Sequence, residues 1–191
     1  MTGSTRKPPN KRTERNRRGV RERRLPRHHA VAVREAGHAV AAWDRGVMLM
    51  PLSIFATAKG SGRNVWNNPL RNVDFDWVRT AGSPGLARRL ASILLAGPVA
   101  ETLFGPRLPR ATASTERLRD ARTLLRAASG GTSDRERRHR ATFEKARVQT
   151  EKFLNKRRVK EAVTGLAAVL VDRGTIRGGE AAAIIEMHLR K

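Results

Sequence analysis

Apolar positions along most of the chain recur every three or four residues, which is the spacing of one face of an amphipathic helix. The first such segment covers residues 29–44. A second helix is expected to begin at Ser83-Pro84, because serine caps helix starts and proline fits a first turn. It is expected to be kinked or interrupted at Gly97-Pro98. The pattern predicts that this helix continues over residues 99–104 and that further helices cover residues 114–128, 133–155, 158–172 and 179–189.

Two short segments have the composition of β-strands. Residues 48–56 and 63–66 are joined by Lys59-Gly60-Ser61-Gly62, which is typical of a turn. These glycines do not indicate a phosphate-binding loop, because no Gly-Lys-Ser or Gly-Lys-Thr follows them and no long helix opens there. The whole pattern therefore predicts a mainly α fold, a helical bundle with one small β-sheet or hairpin.

Positive charge is concentrated at the N-terminus. The chain of 191 residues carries 40 Lys and Arg against 17 Asp and Glu, a formal net charge of +23. Residues 1–27 contribute +9 of this charge, from 11 basic and 2 acidic residues, and almost no apolar surface. We therefore predict a disordered basic arm over residues 1–27 and one domain over residues 28–191. Such an arm attracts nucleic acid, which makes nucleic-acid binding one candidate function.

Composition excludes several kinds of chemistry. The chain has no cysteine, so disulfides, thiolate nucleophiles and cysteine-bound zinc are ruled out. No apolar run reaches the roughly 20 residues of a membrane-spanning helix, and no Walker A motif for ATP is present. We therefore expect a cytoplasmic protein without a membrane span and without an ATP site.

The candidate catalytic chemistry is confined to the segment Arg34-Glu35-Ala36-Gly37-His38. In a zincin helix the motif His-Glu-x-x-His aims two imidazoles at one zinc ion, because residues i and i+4 share a helix face. The glutamate of that motif is the general base that activates metal-bound water. Here Glu35 and His38 stand in the expected places, whereas Arg34 occupies the position of the first histidine.

Seven segments of the chain, the first of which contains this motif, match segments of one known protein family in the same order. They are residues 32–43 (AVREAGHAVAAW), 50–54 (MPLSI), 62–65 (GRNV), 95–105 (LAGPVAETLFG), 116–124 (ERLRDARTL), 166–170 (LAAVL) and 175–180 (TIRGGE). Together they resemble the peptidase domain of the FtsH-type AAA+ zinc metalloproteases, from about residue 29 to the C-terminus. The resemblance implies that family's fold, a zinc site and the hydrolase activity of a metalloprotease.

The zinc site that the resemblance implies is degenerate in this chain. Carried over residue by residue, the ligand positions are Arg34, His38 and Arg117, with Glu35 as the general base. A guanidinium stays protonated and offers no lone pair, so His38 is the only retained ligand and Glu35 is expected to be vestigial. We therefore expect zinc to be absent. The loop before the third position differs in length from the family's, which leaves two alternative carboxylates, Glu116 and Asp120.

The two arginines are expected to take over part of the electrostatic role of the metal. We predict that Arg34, Arg117 or both form charge-assisted hydrogen bonds with Glu35. In the alternative arrangement, both arginines extend to solvent and Glu35 stays hydrated. The remaining histidines are expected to have no role at this site: His28, His29, His139 and His188.

Three functions remain open from the sequence. The first is a degenerate metallopeptidase-like domain that binds protein or peptide, the second an active zinc metalloendopeptidase with a substituted ligand set, and the third nucleic-acid binding through residues 1–27. No oligomeric state is predicted. The resemblance implies that an unfolded or extended polypeptide pairs with an edge strand beside the site. The corresponding residues are Ser53, Ile54, Phe55, Arg63 and Val65.

Overall fold

The computed structural model describes residues 11–49, 51–54, 84–106, 115–128 and 135–190. Within these ranges the chain is mainly helical and carries one small sheet, as the pattern predicts. No helix in the described ranges is long and apolar enough to cross a membrane. The helices are α1 (Lys11–Asp44), α2 (Pro84–Phe104), α3 (Thr115–Ala127), α4 (Arg135–Leu154), α5 (Arg157–Arg173) and α6 (Gly178–Leu189), and the strands are β1 (Leu52–Ser53) and β2 (Thr175–Ile176).

Helix α1 is the central element of the bundle. It packs against both α2 and α5, while α2 also contacts α3 and α4, and α5 also contacts α6. Two main groups of buried apolar side chains follow from this arrangement. One joins α1, α5, α6 and the sheet around Leu166, Leu170 and Ile185, and the other joins α2, α3 and α4 around Leu94 and Leu124.

The close crossing of α1 and α2 depends on small residues. A β-carbon added to Gly37 of α1 would lie 2.5 Å from Cβ of Ala100 and 2.7 Å from the backbone oxygen of Ala96, both in α2. A β-carbon added to Gly97 would lie 2.2 Å from Nε2 of His38. These distances are below van der Waals contact, so the two backbones approach this closely because neither glycine carries a side chain.

Helix α2 continues through Gly97-Pro98, where the sequence predicts a kink or an interruption. The helix spans Pro84–Phe104 with the proline inside it. A proline removes one helical hydrogen bond and costs about 3 kcal/mol in a helix interior. Leu94, Leu95 and Val99 are buried on both sides of it, and this burial offsets the cost and keeps the two predicted segments in one helix.

Helix α1 begins at Lys11, whereas the sequence predicts a helix from residue 29 and a disordered arm over residues 1–27. Residues 11–27 belong to the helix, residues 1–10 lie outside the described ranges, and the division into a basic arm and one domain stays a prediction. Arginine, lysine and glutamate have high helix propensity, and lengthening an existing helix avoids the cost of a new nucleus. The first buried side chain among those described is Ala30, so the core begins there.

The sheet joins two segments that are far apart in the chain. Strands β1 and β2 are antiparallel, with Ser53 opposite Thr175. Strand β1 is shorter than the strand predicted over residues 48–56, the predicted partner at residues 63–66 lies outside the described ranges, and the sequence pattern does not predict β2. Between α5 and β2, Gly174 has φ +75°, a left-handed conformation that ends the helix and that glycine adopts without strain.

Candidate functional site

The segment from Arg34 to His38 lies in the part of α1 that packs against α2. Arg34, Glu35 and His38 are buried, with 8 %, 4 % and 2 % of their surface exposed. Charged side chains are seldom buried to this degree unless they are paired. The interactions of these three side chains therefore determine what the site can do chemically.

Arg34 connects two carboxylates. Its Nη1 donates a hydrogen bond to Oε2 of Glu101 in α2 at 3.2 Å, and its Nε lies 3.6 Å from Oε1 of Glu35. The predicted pairing of Arg34 with Glu35 is present as an ion pair, whose separation of 3.6 Å is longer than a hydrogen bond. One guanidinium thus pairs with the buried Glu35 and the partly buried Glu101 and cross-links α1 to α2.

Glu101 belongs to the site although the zincin motif does not point to it. It lies 67 positions from Arg34 in the chain, so no local spacing relates the two residues. The signal that the sequence does carry is its position, because Glu101 is the one acidic residue in the apolar run over residues 93–104. A carboxylate on a buried helix needs a partner of opposite charge.

His38 is held as a neutral imidazole. Its Nδ1 lies 2.8 Å from the backbone oxygen of Ile93 in α2, and because a carbonyl only accepts, Nδ1 carries the proton. Burial lowers the pKa of His38 to about 3, the bond to Ile93 opposes that shift, and the positive charges of Arg117 and Arg34 add to it. The imidazole is therefore uncharged at neutral pH.

Arg117 of α3 acts electrostatically on the same site, because its positive charge, like that of Arg34, lowers the pKa of His38. The pairing of Arg117 with Glu35 stays a prediction.

The residues at the expected ligand positions do not fit a zinc ion. Only the imidazole of His38 has a lone pair to offer, and Arg34 and Arg117 bring two positive charges to the place where a dication would bind. Of the alternative carboxylates, Asp120 is partly exposed on α3 and the side chain of Glu116 is outside those described. Within the described ranges, no three His, Asp or Glu side chains are grouped as a metal site would require.

Two of the five predicted substrate-strand residues are described. Ser53 accepts a hydrogen bond from Oγ1 of Thr175 at 3.1 Å, and the N–H of Ile54 donates to the backbone oxygen of Gly174 at 3.0 Å. The described part of this strand is thus held against the segment that follows α5. The other three residues lie outside the described ranges: Phe55, Arg63 and Val65.

We predict that His38 takes up no proton between about pH 8 and pH 5 in the folded protein. Because the folded pKa is about 3 and the ordinary value is 6.5, the unfolded chain binds a proton at this residue first as the pH falls. The free energy of unfolding should therefore decrease below about pH 6.5, with a contribution from His38 of about 1.4 kcal/mol per pH unit. At higher pH, His38 should make no contribution to the pH dependence of the free energy of unfolding. The NMR signal of Cε1–H should keep its shift down to about pH 5, and a midpoint near pH 6.5 would contradict the prediction.

Comparison with known proteins adds no relationship to these observations. No protein-family model and no curated protein matches this chain. The resemblance to the FtsH-type peptidase domain therefore stays a prediction from the residues.

Proposed function

We propose that this chain is an FtsH-type metallopeptidase-like domain that has lost zinc-dependent catalysis and binds extended polypeptide. The observation that supports the loss of catalysis is the buried pairing of Arg34 with Glu101 and Glu35. In a zincin the glutamate deprotonates a water molecule on the metal. Here Glu35 lies beside a guanidinium, which provides no water of lowered pKa. Glu35 therefore acts as a structural partner of Arg34 rather than as a general base.

The environment of His38 supports the same proposal. A ligating histidine is commonly oriented by a carbonyl on its second ring nitrogen, and the bond from Nδ1 to Ile93 has that form. Both charged neighbours that act on the imidazole, however, are positive, which opposes the binding of a cation. His38 therefore serves as a neutral packing element between α1 and α2.

The binding of polypeptide rests on the resemblance and on the geometry of β1. Antiparallel pairing turns successive backbone N–H groups to opposite sides of a strand. Since the N–H of Ile54 points to Gly174 on the β2 side, the N–H of Ser53 points to the other side of β1. Addition of an extended peptide to a strand is a common mode of peptide recognition, and the resemblance assigns residues of this strand to it.

The experiment measures binding and cleavage of labelled, unfolded casein by the full chain in the presence of zinc. We expect saturable binding without cleavage, and the same behaviour in Glu35→Gln. Ser53→Pro removes a backbone N–H from β1 and fixes φ at this position, so peptide addition to the strand should weaken about tenfold, whereas Ser53→Ala leaves the backbone of β1 unchanged and should bind like the wild type. Circular dichroism of the two Ser53 variants checks that both remain folded.

Two outcomes would contradict the proposal. Zinc-dependent cleavage that disappears in Glu35→Gln would establish an active metalloendopeptidase. Casein that is neither bound nor cleaved would overturn the assignment of a polypeptide-binding function.

A further inference from the structure

A second polar site lies between helices α3 and α4, away from the segment Arg34–His38. These helices follow one another in the chain and border a cavity of about 290 Å³. This volume is near the lower end of the range for small-molecule sites. The described residues that line the cavity are Arg122 and Arg126 of α3 and His139, Arg140, Phe143 and Glu144 of α4.

Among the described residues that line the cavity, positive charge exceeds negative charge. Glu144 is the only carboxylate among the described lining residues, and it already forms an ion pair with Arg147, at 2.9 Å. Arg126 and Arg140 form no ion pair with any described residue. Guanidinium groups gathered around one cavity repel one another, and an anion between them would remove that repulsion.

Two further side chains define the environment inside the cavity. The guanidinium of Arg122 lies 4.7 Å from the centroid of the Phe143 ring, a cation–π contact that holds the charge in place without neutralising it. The Nδ1 atom of His139 is buried and has no hydrogen-bond partner among the described residues, which is rare for a buried polar atom. The sequence pattern assigns His139 no role, yet the fold brings it to this cavity.

We propose that the cavity between α3 and α4 binds a phosphate group carried by a phosphate ester. The planar fork of an arginine matches phosphate oxygens and donates paired hydrogen bonds to them. The negative charge of the ester offsets part of the positive charge of Arg122, Arg126 and Arg140. This site does not rest on the polypeptide-binding function proposed above, because it uses other residues.

The test is a calorimetric titration of the full chain with sodium pyrophosphate at low ionic strength. We expect saturable binding with one equivalent. Arg126→Gln and Arg140→Gln should each weaken that binding about tenfold, because each removes a charge-assisted contact. The matched control is Arg137→Gln, which removes the same charge from an exposed position of α4 outside the cavity and should change the affinity less than about twofold. All three arginines are exposed, so the variants should fold like the wild type.

An equal loss in Arg140→Gln and Arg137→Gln would indicate diffuse charge attraction and overturn the proposal, as would the absence of saturable binding. A second titration adds a short oligothymidylate to the pyrophosphate complex. Displacement of pyrophosphate identifies a nucleic-acid backbone as the source of the phosphate. Retention of pyrophosphate excludes a single-stranded nucleic-acid backbone and leaves a small phosphate ester as the source.

Discussion

Replacement of Arg34 by alanine should lower the free energy of unfolding by about 3 kcal/mol. The guanidinium is the partner of Glu101 at 3.2 Å and of Glu35 at 3.6 Å, and all three side chains are nearly inaccessible to water. Removing one member of a buried ion pair leaves the opposite charge buried without compensation, which costs more than the pair itself contributes. Chemical denaturation of the wild type and the variant at neutral pH measures the difference.

A double-mutant cycle separates this pairing from the loss of packing. Arg34→Ala and Glu101→Ala should each destabilise the fold, and the double variant should lose less than the sum, because the second change removes the charge that the first one stranded. The matched control is Arg157→Ala, since the pair of Arg157 with Glu161 lies at the surface and should contribute nothing measurable. Additive losses at Arg34 and Glu101 would contradict the proposed cross-link.

Replacement of Gly37 by alanine should destabilise the fold by about 2 kcal/mol, although alanine is the better helix former. The new methyl group would lie 2.7 Å from the backbone oxygen of Ala96. A side chain could relieve such a contact by changing its rotamer, but a backbone atom cannot. Helices α1 and α2 must therefore separate, and the cost of this overpacking exceeds the gain of about 1 kcal/mol in helix propensity. Thermal or chemical unfolding measures the net effect.

Two other glycines serve as matched controls for this prediction. A β-carbon on Gly179 of α6 would meet nothing within 4 Å, so Gly179→Ala should stabilise the fold by about 0.5 kcal/mol. A β-carbon on Gly165 would approach only the ring of His188, at 2.8 Å, and a side chain can turn away at small cost. If Gly37→Ala were as well tolerated as Gly179→Ala, this result would contradict the close approach of the α1 and α2 backbones at Gly37.

The helices could be predicted from the sequence because their apolar faces repeat locally. The segments predicted over residues 133–155 and 158–172 correspond to α4 and α5 to within two residues at each end. The pairing of β1 with β2 could not be predicted, because two-residue strands have no periodicity and their partners lie more than a hundred residues apart. The sequence pattern does not predict that α1 begins at Lys11. Low apolar content indicates that a segment is not buried, but an unburied segment can still extend an existing helix.

The candidate site was predictable only in part, for a related physical reason. The helical spacing of Glu35 and His38 is local, and the positive charge of Arg34 requires a carboxylate nearby, so this part of the site follows from the sequence. The stronger contact of Arg34 is with Glu101 on another helix, and the bond of His38 is with the carbonyl of Ile93. Both depend on how α1 and α2 cross, which no local pattern encodes.

The zinc content of the purified full chain tests most directly whether Arg34 and Arg117 have replaced the metal. After incubation with equimolar zinc and removal of free metal, we expect the wild type to retain no bound zinc, because two guanidinium groups oppose a dication at His38. The double variant Arg34→His with Arg117→Asp should retain about one equivalent, since it presents two imidazoles and a carboxylate. One equivalent of zinc in the wild type, lost in His38→Ala, would contradict the account.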